Sequence, residues 1–174
     1  VVIDAQGAGR VIRGEDLDES NALEKLTLRG GYLPTGEGAG AYLDGPVLLR
    51  NLIVEDNANG SFGNGVGICA RRLSRVEDCV FRNNRTPSTS SFGGGLYIYS
   101  TYDDGCSLQR VDFIGNEGGH GAALATSGGY LTVIDLRAFD NSGKSVIRFG
   151  SGGMGPSFLI ENSVVAHNSA MGIA

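Results

Sequence analysis

The sequence predicts an all-β protein that winds as a right-handed parallel β-helix, a solenoid of about six to seven coils with roughly 26 residues each. Two observations lead to this prediction: a short phrase that recurs along the chain, and the alternation of apolar residues within each copy. The phrase ends on a turn residue at six places, which are Gly31, Asn57, Asn84, Asn116, Asn141 and Asn168. Self-similarity at this period indicates a solenoid, in which each repeat packs only on its neighbours.

Each copy of the phrase carries three apolar columns before its turn residue. The residue eight positions before the turn is always aliphatic: Leu23, Leu49, Val76, Leu108, Val133, Ile160. The residues five positions before it are mostly apolar: Leu26, Leu52, Cys79, Val111, Leu136, Ser163. So are those three before it: Leu28, Val54, Phe81, Phe113, Ala138, Val165. Apolar columns two residues apart have the periodicity of a strand with one face inward.

A second strand is expected after each turn, introduced by glycines. Apolar residues alternate there at 41–43, 66–68, 96–98, 122–124 and 147–149. No stretch of the sequence has the three-and-four apolar spacing of a long helix. A leucine-rich repeat has a similar length but needs a helical return, and the glycine-rich second strand disfavours it.

The turn column is occupied by asparagine in five of its six positions. In stacked coils an inward amide can bond the turn backbone and the amide of the next coil, and asparagine tolerates the left-handed backbone of a sharp corner. A buried amide without partners is costly, so a ladder is favoured over a single one. We therefore predict a structural turn ladder formed by Asn57, Asn84, Asn116, Asn141 and Asn168.

Composition limits the classes of function. The 174 residues are expected to form one domain, 1–174, with a net charge of −5 and 29 glycines. Nucleic acid is not an expected partner because the chain has no basic run, and no apolar stretch is long enough for a membrane span. Neither end carries a polar cap, so we expect a fragment of a longer chain, with targeting signal and anchor elsewhere. Uncapped coils would allow end-to-end or self-association.

The three cysteines do not indicate a metal site. Cys79 falls in an inward column, where it is most simply a small core residue. Cys69 and Cys106 fall near strand ends, and whether they pair stays open. Their spacing does not match a zinc site, and no phosphate loop or dinucleotide fingerprint is present, so no metal or cofactor is expected.

Two phrases alternate along the chain, and they resemble known repeats. Phe81-Arg82-Asn83-Asn84 and Phe113-Ile114-Gly115-Asn116 have the form F-x-x-N, and 94–97 and 121–124 approximate a Gly-Gly-aliphatic phrase. This alternation resembles the repeats of the chlamydial polymorphic membrane proteins and of right-handed β-helix surface and autotransporter passenger proteins. The opening 3–12 looks like the first rung of pectin-lyase-like β-helices.

The resemblance implies an extracellular or bacterial cell-surface location, an adhesive or scaffolding role in many members and carbohydrate cleavage in others. We therefore expect a non-enzymatic rod segment used for adhesion, for display or as a spacer. One alternative is a polysaccharide lyase or glycoside hydrolase whose catalytic coil lies partly outside the segment. Another is a carbohydrate-binding solenoid, with a polysaccharide or cell-surface glycan as partner.

The longest coil carries the candidate ligand-binding surface. Loops at 85–92 and 100–105 bracket the strand 96–99, whose Tyr97 and Tyr99 are expected to point outward in the column that also holds Tyr42 and Arg148. Exposed aromatic rings beside acids and hydroxyls are typical of a sugar site. The candidate ligand-binding residues are Tyr97, Tyr99, Tyr102, Asp103 and Asp104. The alternative is that the tyrosines only cover the sheet and that the acidic phrase is a turn.

Candidate catalytic residues rest on a second, thinner resemblance. Asp103-Asp104 and Gly119-His120-Gly121 are similar to the Asp-Asp and Gly-His-Gly phrases of β-helical polygalacturonases, in which paired acids activate water and protonate the leaving group. Here the aspartates lie in a loop and the flanking phrases of that family are missing. Asp103, Asp104 and His120 are therefore only weak candidates.

One outer face is expected to carry alternating charge. Asp78, Arg110 and Asp135 share the column six positions before the turn, and Asp112 is expected beside Arg137. Neighbouring rungs are about 4.8 Å apart, so opposite charges should meet. We predict an exposed structural checkerboard there rather than a catalytic cluster.

Overall fold

The chain folds as a parallel β-solenoid of about six turns. The structure is a computed structural model, which describes residues 1–99, 105–150 and 157–174. These residues form strands and no helix. In chain order the strands are β1 (Val2–Asp4), β2 (Ile12–Gly14), β3 (Ala22–Glu24), β4 (Thr27–Arg29), β5 (Tyr32–Leu33), β6 (Ala41–Asp44), β7 (Leu48–Arg50), β8 (Ile53–Glu55), β9 (Ala58–Asn59), β10 (Ile68–Arg71), β11 (Arg75–Arg82), β12 (Leu96–Tyr99), β13 (Cys106–Ile114), β14 (Leu124–Thr126), β15 (Tyr130–Ile134), β16 (Arg137–Phe139), β17 (Ser142–Phe149), β18 (Ser157–Glu161), β19 (Val164–Ala166) and β20 (Ser169–Ile173).

Every strand pairs in parallel with its counterpart in the next coil, which confirms the predicted fold class. The first sheet contains β1, β3, β4, β7, β8, β11, β13, β15, β16, β18 and β19. The second sheet runs β2-β6-β10-β12-β14-β17-β20, and β5 pairs with β9 in a short third sheet. Isolated parallel β-bridges continue this short third sheet along the solenoid, from Ala58 through Arg85 and Glu117 to Ser142. This row of bridges forms the third side of each coil. Three sides therefore enclose one core.

The inward columns form that core, as predicted. Leu49, Val76 and Leu108 are fully buried in the column eight positions before the turn, and Phe81 and Phe113 are buried in the column three before it. The two phenylalanine rings stack with centroids 5.0 Å apart. Burial of apolar side chains against the same position of the next coil gives a continuous hydrophobic cluster along the solenoid.

The first sheet bends along the column six positions before the turn residue. Lys25, Asn51, Asp78, Arg110, Asp135 and Asn162 all have a left-handed backbone, with φ between 49° and 56°. One left-handed residue turns the chain through a corner without a loop. Asparagine and aspartate tolerate this conformation best, so four of the six residues suit it. In β11 and β13 the strand continues through this bend, and the side chains of Asp78 and Arg110 still meet on the outer face.

The five asparagines form a continuous hydrogen-bonded ladder. Each Nδ2 donates to the Oδ1 of the next asparagine, at 2.9 Å from Asn57 to Asn84 and 3.0 Å from Asn84 to Asn116. The same Oδ1 also accepts the backbone N–H of the preceding coil's turn residue. The second amide proton goes to a strand carbonyl, such as that of Val54 for Asn84, at 2.9 Å. Gly31 can begin the column because its backbone N–H alone reaches Asn57 Oδ1, at 2.8 Å.

Glycine beside the ladder is required by close packing. A Cβ on Gly95 would lie 2.6 Å from the Ala123 carbonyl oxygen and 2.8 Å from the Phe113 ring. Gly93 has φ +65° and would place a Cβ 2.4 Å from the Leu96 carbonyl oxygen, because the chain reverses tightly there. These contacts explain why glycine runs introduce the second strand.

All three cysteines are buried and free. Cys106 lies in the core, whereas Cys69 packs on the outer side of the second sheet with Tyr97 and Ala125. Pairing of Cys69 with Cys106 does not occur, because the second sheet separates the two environments. Burial raises the pKa of the Cys79 thiol to about 11, so this thiol stays protonated in the core.

The described residues also include no helix that is long and apolar enough to span a membrane.

We expect Asn84→Gly to lower the free energy of unfolding by about 2–4 kcal/mol, because it leaves buried donors of Asn57 without their acceptor. Asn83→Gly is the matched control. Asn83 is exposed, has φ 55°, and stands where two other coils already have glycine, Gly30 and Gly115. Its effect should stay within about 0.5 kcal/mol. Urea unfolding of both variants measures the difference, and equal losses would contradict the structural role of the ladder.

Candidate functional site

Side chains of one outward column cross the outer face of the second sheet. The register places Tyr42 beside Cys69, Cys69 beside Tyr97, Tyr97 beside Ala125 and Ala125 beside Arg148. Leu96 and Ile98, on either side of Tyr97, point into the core. The predicted shared column of Tyr42, Tyr97 and Arg148 is confirmed.

Tyr97 is not an exposed aromatic residue, contrary to our expectation. Its side chain is only 5% exposed. Its ring packs edge-on against Tyr99, with centroids 4.4 Å apart, and Phe92 stacks on it at 5.9 Å. Phe92 ends the 85–92 loop and folds back over the sheet, so the loop that was expected to flank Tyr97 covers it. Burial raises the pKa of Tyr97, and hydrogen bonds to Ser127 and Tyr99 partly offset this.

Tyr99 is half-buried and belongs to a polar network that spans three coils. Its hydroxyl donates to Glu37 Oε1 at 2.9 Å, and Asn64 Nδ2 donates to the same oxygen at 3.0 Å. Burial raises the pKa of the Cys69 thiol well above the usual range, and the nearby Glu37 carboxylate raises it further. Burial and the bond to Glu37 raise the pKa of Tyr99 as well. The network therefore holds the tyrosine hydroxyl protonated and fixed.

Sequence reasoning missed Glu37, although a signal for it was present. Glycines 38, 65, 93 and 121 all have a left-handed backbone, with φ between 54° and 65°. The residue before each of them lies at the same edge of the second sheet, which gives the column Glu37, Asn64, Phe92 and His120. Alignment on these glycines, rather than on the asparagines, would have brought the column together.

Tyr42 stands among three guanidinium groups. The Cζ atoms of Arg10, Arg13 and Arg71 lie 5.6, 5.8 and 5.9 Å from its ring centroid. Arg71 also lies over the Tyr99 ring, at 5.6 Å, so it bridges the two tyrosines. We call Tyr42, Arg71 and Tyr99 the tyrosine–arginine surface.

The charges around the tyrosine–arginine surface are balanced. Arg13 pairs with Glu15 at 2.5 Å, and Arg71 lies 4.0 Å from Asp44. Arg10 donates to the backbone carbonyls of Gly38 and Glu37, at 2.9 and 2.8 Å, while the Glu37 carboxylate is held by Tyr99 and Asn64. Three arginines thus face three carboxylates, those of Glu15, Glu37 and Asp44. The surface presents aromatic rings and hydrogen-bonding groups with little net charge.

The predicted charge pairs are present on the bend of the first sheet. Arg110 binds Asp78 through two hydrogen bonds, of 2.5 and 2.9 Å, and Arg137 binds Asp112 at 2.7 and 2.5 Å. They line a groove of about 620 Å³ together with Asp135. The Arg110 hydrogen bonds lower the pKa of Asp78, so this acid stays ionised. Two ion pairs of the predicted checkerboard are therefore present, and among the described residues no salt bridge joins Arg110 to Asp135.

Of the three candidate catalytic residues, the structure describes only His120. Tyr102, Asp103 and Asp104 lie outside the described residues. The His120 ring stacks on Phe92, with centroids 5.4 Å apart. Burial lowers the pKa of His120, and Arg148 and Lys144 lower it further. Within 1–99, 105–150 and 157–174, no group of three or more His, Cys, Asp or Glu side chains is placed to hold a metal ion.

Comparisons with protein-family models, with curated proteins and with solved structures found no match for this chain.

The pH dependence of the charged groove can be tested at Asp78. Because its pKa is lower in the folded chain, the Arg110 pair stabilises the fold above the ordinary aspartate pKa of about 3.9 and loses this effect as the pH falls below it. Arg110→Gln should raise the pKa of Asp78 toward the ordinary value, as followed by carboxyl-carbon NMR. Arg137→Gln should leave it unchanged, and a shift of equal size in that variant would contradict the pairing.

Proposed function

We propose that the chain is a rigid β-helical segment of an extracellular or bacterial cell-surface protein, used to display or space other parts of that protein. The observation that carries the proposal is the unbroken asparagine ladder, which locks each coil to the next from Gly31 to Asn168. The buried core and the ion pairs between neighbouring rungs also hold the coils together. The repeats' resemblance to those of chlamydial polymorphic membrane proteins and other β-helix surface proteins supports the location.

Rigidity can be measured as the distribution of one distance along the solenoid. Thr27 and Val164 lie in one outward column, five rungs apart, so their backbones should be about 24 Å apart at about 4.8 Å per rung. Spin labels on Thr27→Cys and Val164→Cys should give one narrow distance distribution in pulsed electron paramagnetic resonance.

Two controls make the distance measurement decisive. The three native cysteines are buried, so the chain without new cysteines should take up little label. Asn84→Gly in the doubly labelled chain should broaden the distribution, because it interrupts the ladder midway between the labels. A broad distribution in the unmodified ladder would overturn the proposed rigid role.

A second candidate function, carbohydrate binding, is favoured by the tyrosine–arginine surface. Sugar rings stack on aromatic faces, and their hydroxyls bond to charged and polar groups. Tyr42 and Tyr99 are half-buried, and the Arg71 side chain is exposed between them. Since three arginines face three carboxylates, the surface suits a neutral glycan better than a strongly anionic one.

A glycan array with Tyr42→Ala and Tyr130→Ala tests this second function. Tyr130 is an exposed tyrosine on the first sheet, so its replacement removes a ring of the same kind from another side. The unmodified chain should bind a set of neutral glycans, Tyr42→Ala should lose at least about tenfold in affinity, and Tyr130→Ala should not. Equal loss in both variants, or no binding by the unmodified chain, would exclude the surface. Products released in the same wells would favour the polysaccharide lyase or glycoside hydrolase alternative.

A further inference from the structure

A separate small cavity lies at the other end of the outward column, beyond Tyr97. It measures about 230 Å³ and is lined by Phe92, Tyr97, Thr126, Ser127, Arg148 and Gly150. This volume is below the 300–1,000 Å³ that is typical of sites for drug-sized ligands, and it suits a single ring with one substituent. Two aromatic rings, two aliphatic hydroxyls and one guanidinium therefore meet around a space for one small molecule.

Arg148 supplies the charge of this cavity. Its Cζ lies 4.6 Å from the Phe92 ring centroid, so the guanidinium face is packed on the ring. A stacked guanidinium keeps its N–H edge free to donate in the plane of the group. Among the described residues, no carboxylate forms a salt bridge with Arg148. The planar N–H fork is the geometry that binds a carboxylate through two parallel hydrogen bonds.

Besides Arg148, Lys144 is a second cation close to His120, whereas burial and these two cations hold His120 toward its neutral form. The His120 ring stacks on Phe92, with ring centroids 5.4 Å apart, and the Arg148 guanidinium packs on the same residue. Both Arg148 and Lys144 are close enough to His120 to lower its pKa. The cavity thus differs from the balanced tyrosine–arginine surface, because the charged groups here, Arg148 and Lys144, are both cations. An anionic group entering the cavity would be attracted by them.

Hydroxyl groups complete the recognition surface. The hydroxyl-bearing side chains of Thr126 and Ser127 line the cavity together with the Tyr97 ring. The Tyr97 ring is held by Phe92 on one side and Tyr99 on another, so the hydroxyl position is fixed before a ligand arrives. Preorganised donors around a charged ligand cost little ordering entropy on binding.

We propose that this cavity binds a carboxylate carried on a single ring, with Arg148 as the bidentate partner of the carboxylate and Ser127 as a hydroxyl partner beside it. The ring would lie against Tyr97 and Phe92. Two kinds of molecule carry a carboxylate on a single ring, aromatic acids and acidic monosaccharides. They differ in the ring face that they offer to the aromatic lining. The site does not depend on the rod function, since a rigid solenoid could carry it or lack it.

Titration with defined probes tests the proposal. Benzoate and glucuronate represent the two sources, glucose and benzyl alcohol are their neutral counterparts, and inorganic sulfate is an anion without a ring. Chemical-shift changes of backbone amides around Arg148 should report binding of benzoate or glucuronate, and the tighter of the two identifies the source. Both neutral probes should bind at least about tenfold more weakly, because they lack the charge-assisted hydrogen bonds.

Two variants and one control locate the binding. Arg148→Gln should weaken binding of the acidic probe at least about tenfold, and Ser127→Ala, which removes only a hydroxyl, should weaken it severalfold. Arg85→Gln makes the same charge change at an exposed arginine on the third side of the solenoid and should have no effect. The same spectra report whether each variant is folded. Failure of both acidic probes, sulfate binding as tight as theirs, or equal weakening by Arg85→Gln would overturn the proposal.

Discussion

The structure depends on one constraint, that each coil must lie in register on the coil beside it. Parallel pairing sets the rung spacing, but strand hydrogen bonds alone would permit slippage by two residues without exchanging the inner and outer faces. The asparagine ladder opposes such slippage, because each amide must meet both the next amide and a fixed strand carbonyl such as that of Val54. The inward aliphatic columns then stack on themselves, and the outward charges meet their partners one rung away.

The same register explains why the outer faces differ in character. On the bend of the first sheet, a left-handed residue in each coil turns its side chain outward, and opposite charges at Asp78 and Arg110 neutralise each other. On the second sheet, the column contains Tyr42, Cys69, Tyr97, Ala125 and Arg148, which are not alike from coil to coil. Repetition serves the core and the ladder, whereas variation between coils produces local surfaces. Binding sites are therefore expected where a column stops repeating.

The parts of the fold that could be predicted are those that repeat. Leu49, Val76 and Leu108 were identified as core because burial at every coil imposes the same residue class at the same spacing. The bend at Asp78 and Arg110 was missed although the spacing marks it, because the inward columns eight and five positions before the turn lie three residues apart, where a strand would place them two apart. Tyr97 was wrongly expected to be exposed, since the fold-back of Phe92 depends on the path of a loop that occurs in only one coil. Glu37 was missed because its partners are Asn64 and Tyr99, in two other coils.

Phe92 also explains how two surfaces of different charge can lie on one small sheet. Its ring occupies the space between Tyr97 and His120, and the Arg148 guanidinium packs on it. On the Tyr99 side of Tyr97, Glu37 and Asp44 balance the arginines around Tyr42. On the Phe92 side, burial lowers the pKa of His120 and the Arg148 and Lys144 cations lower it further, so the positive charge there is carried by these two cations. An aromatic side chain from a one-coil loop thus divides a repeating face into a balanced half and a cationic half.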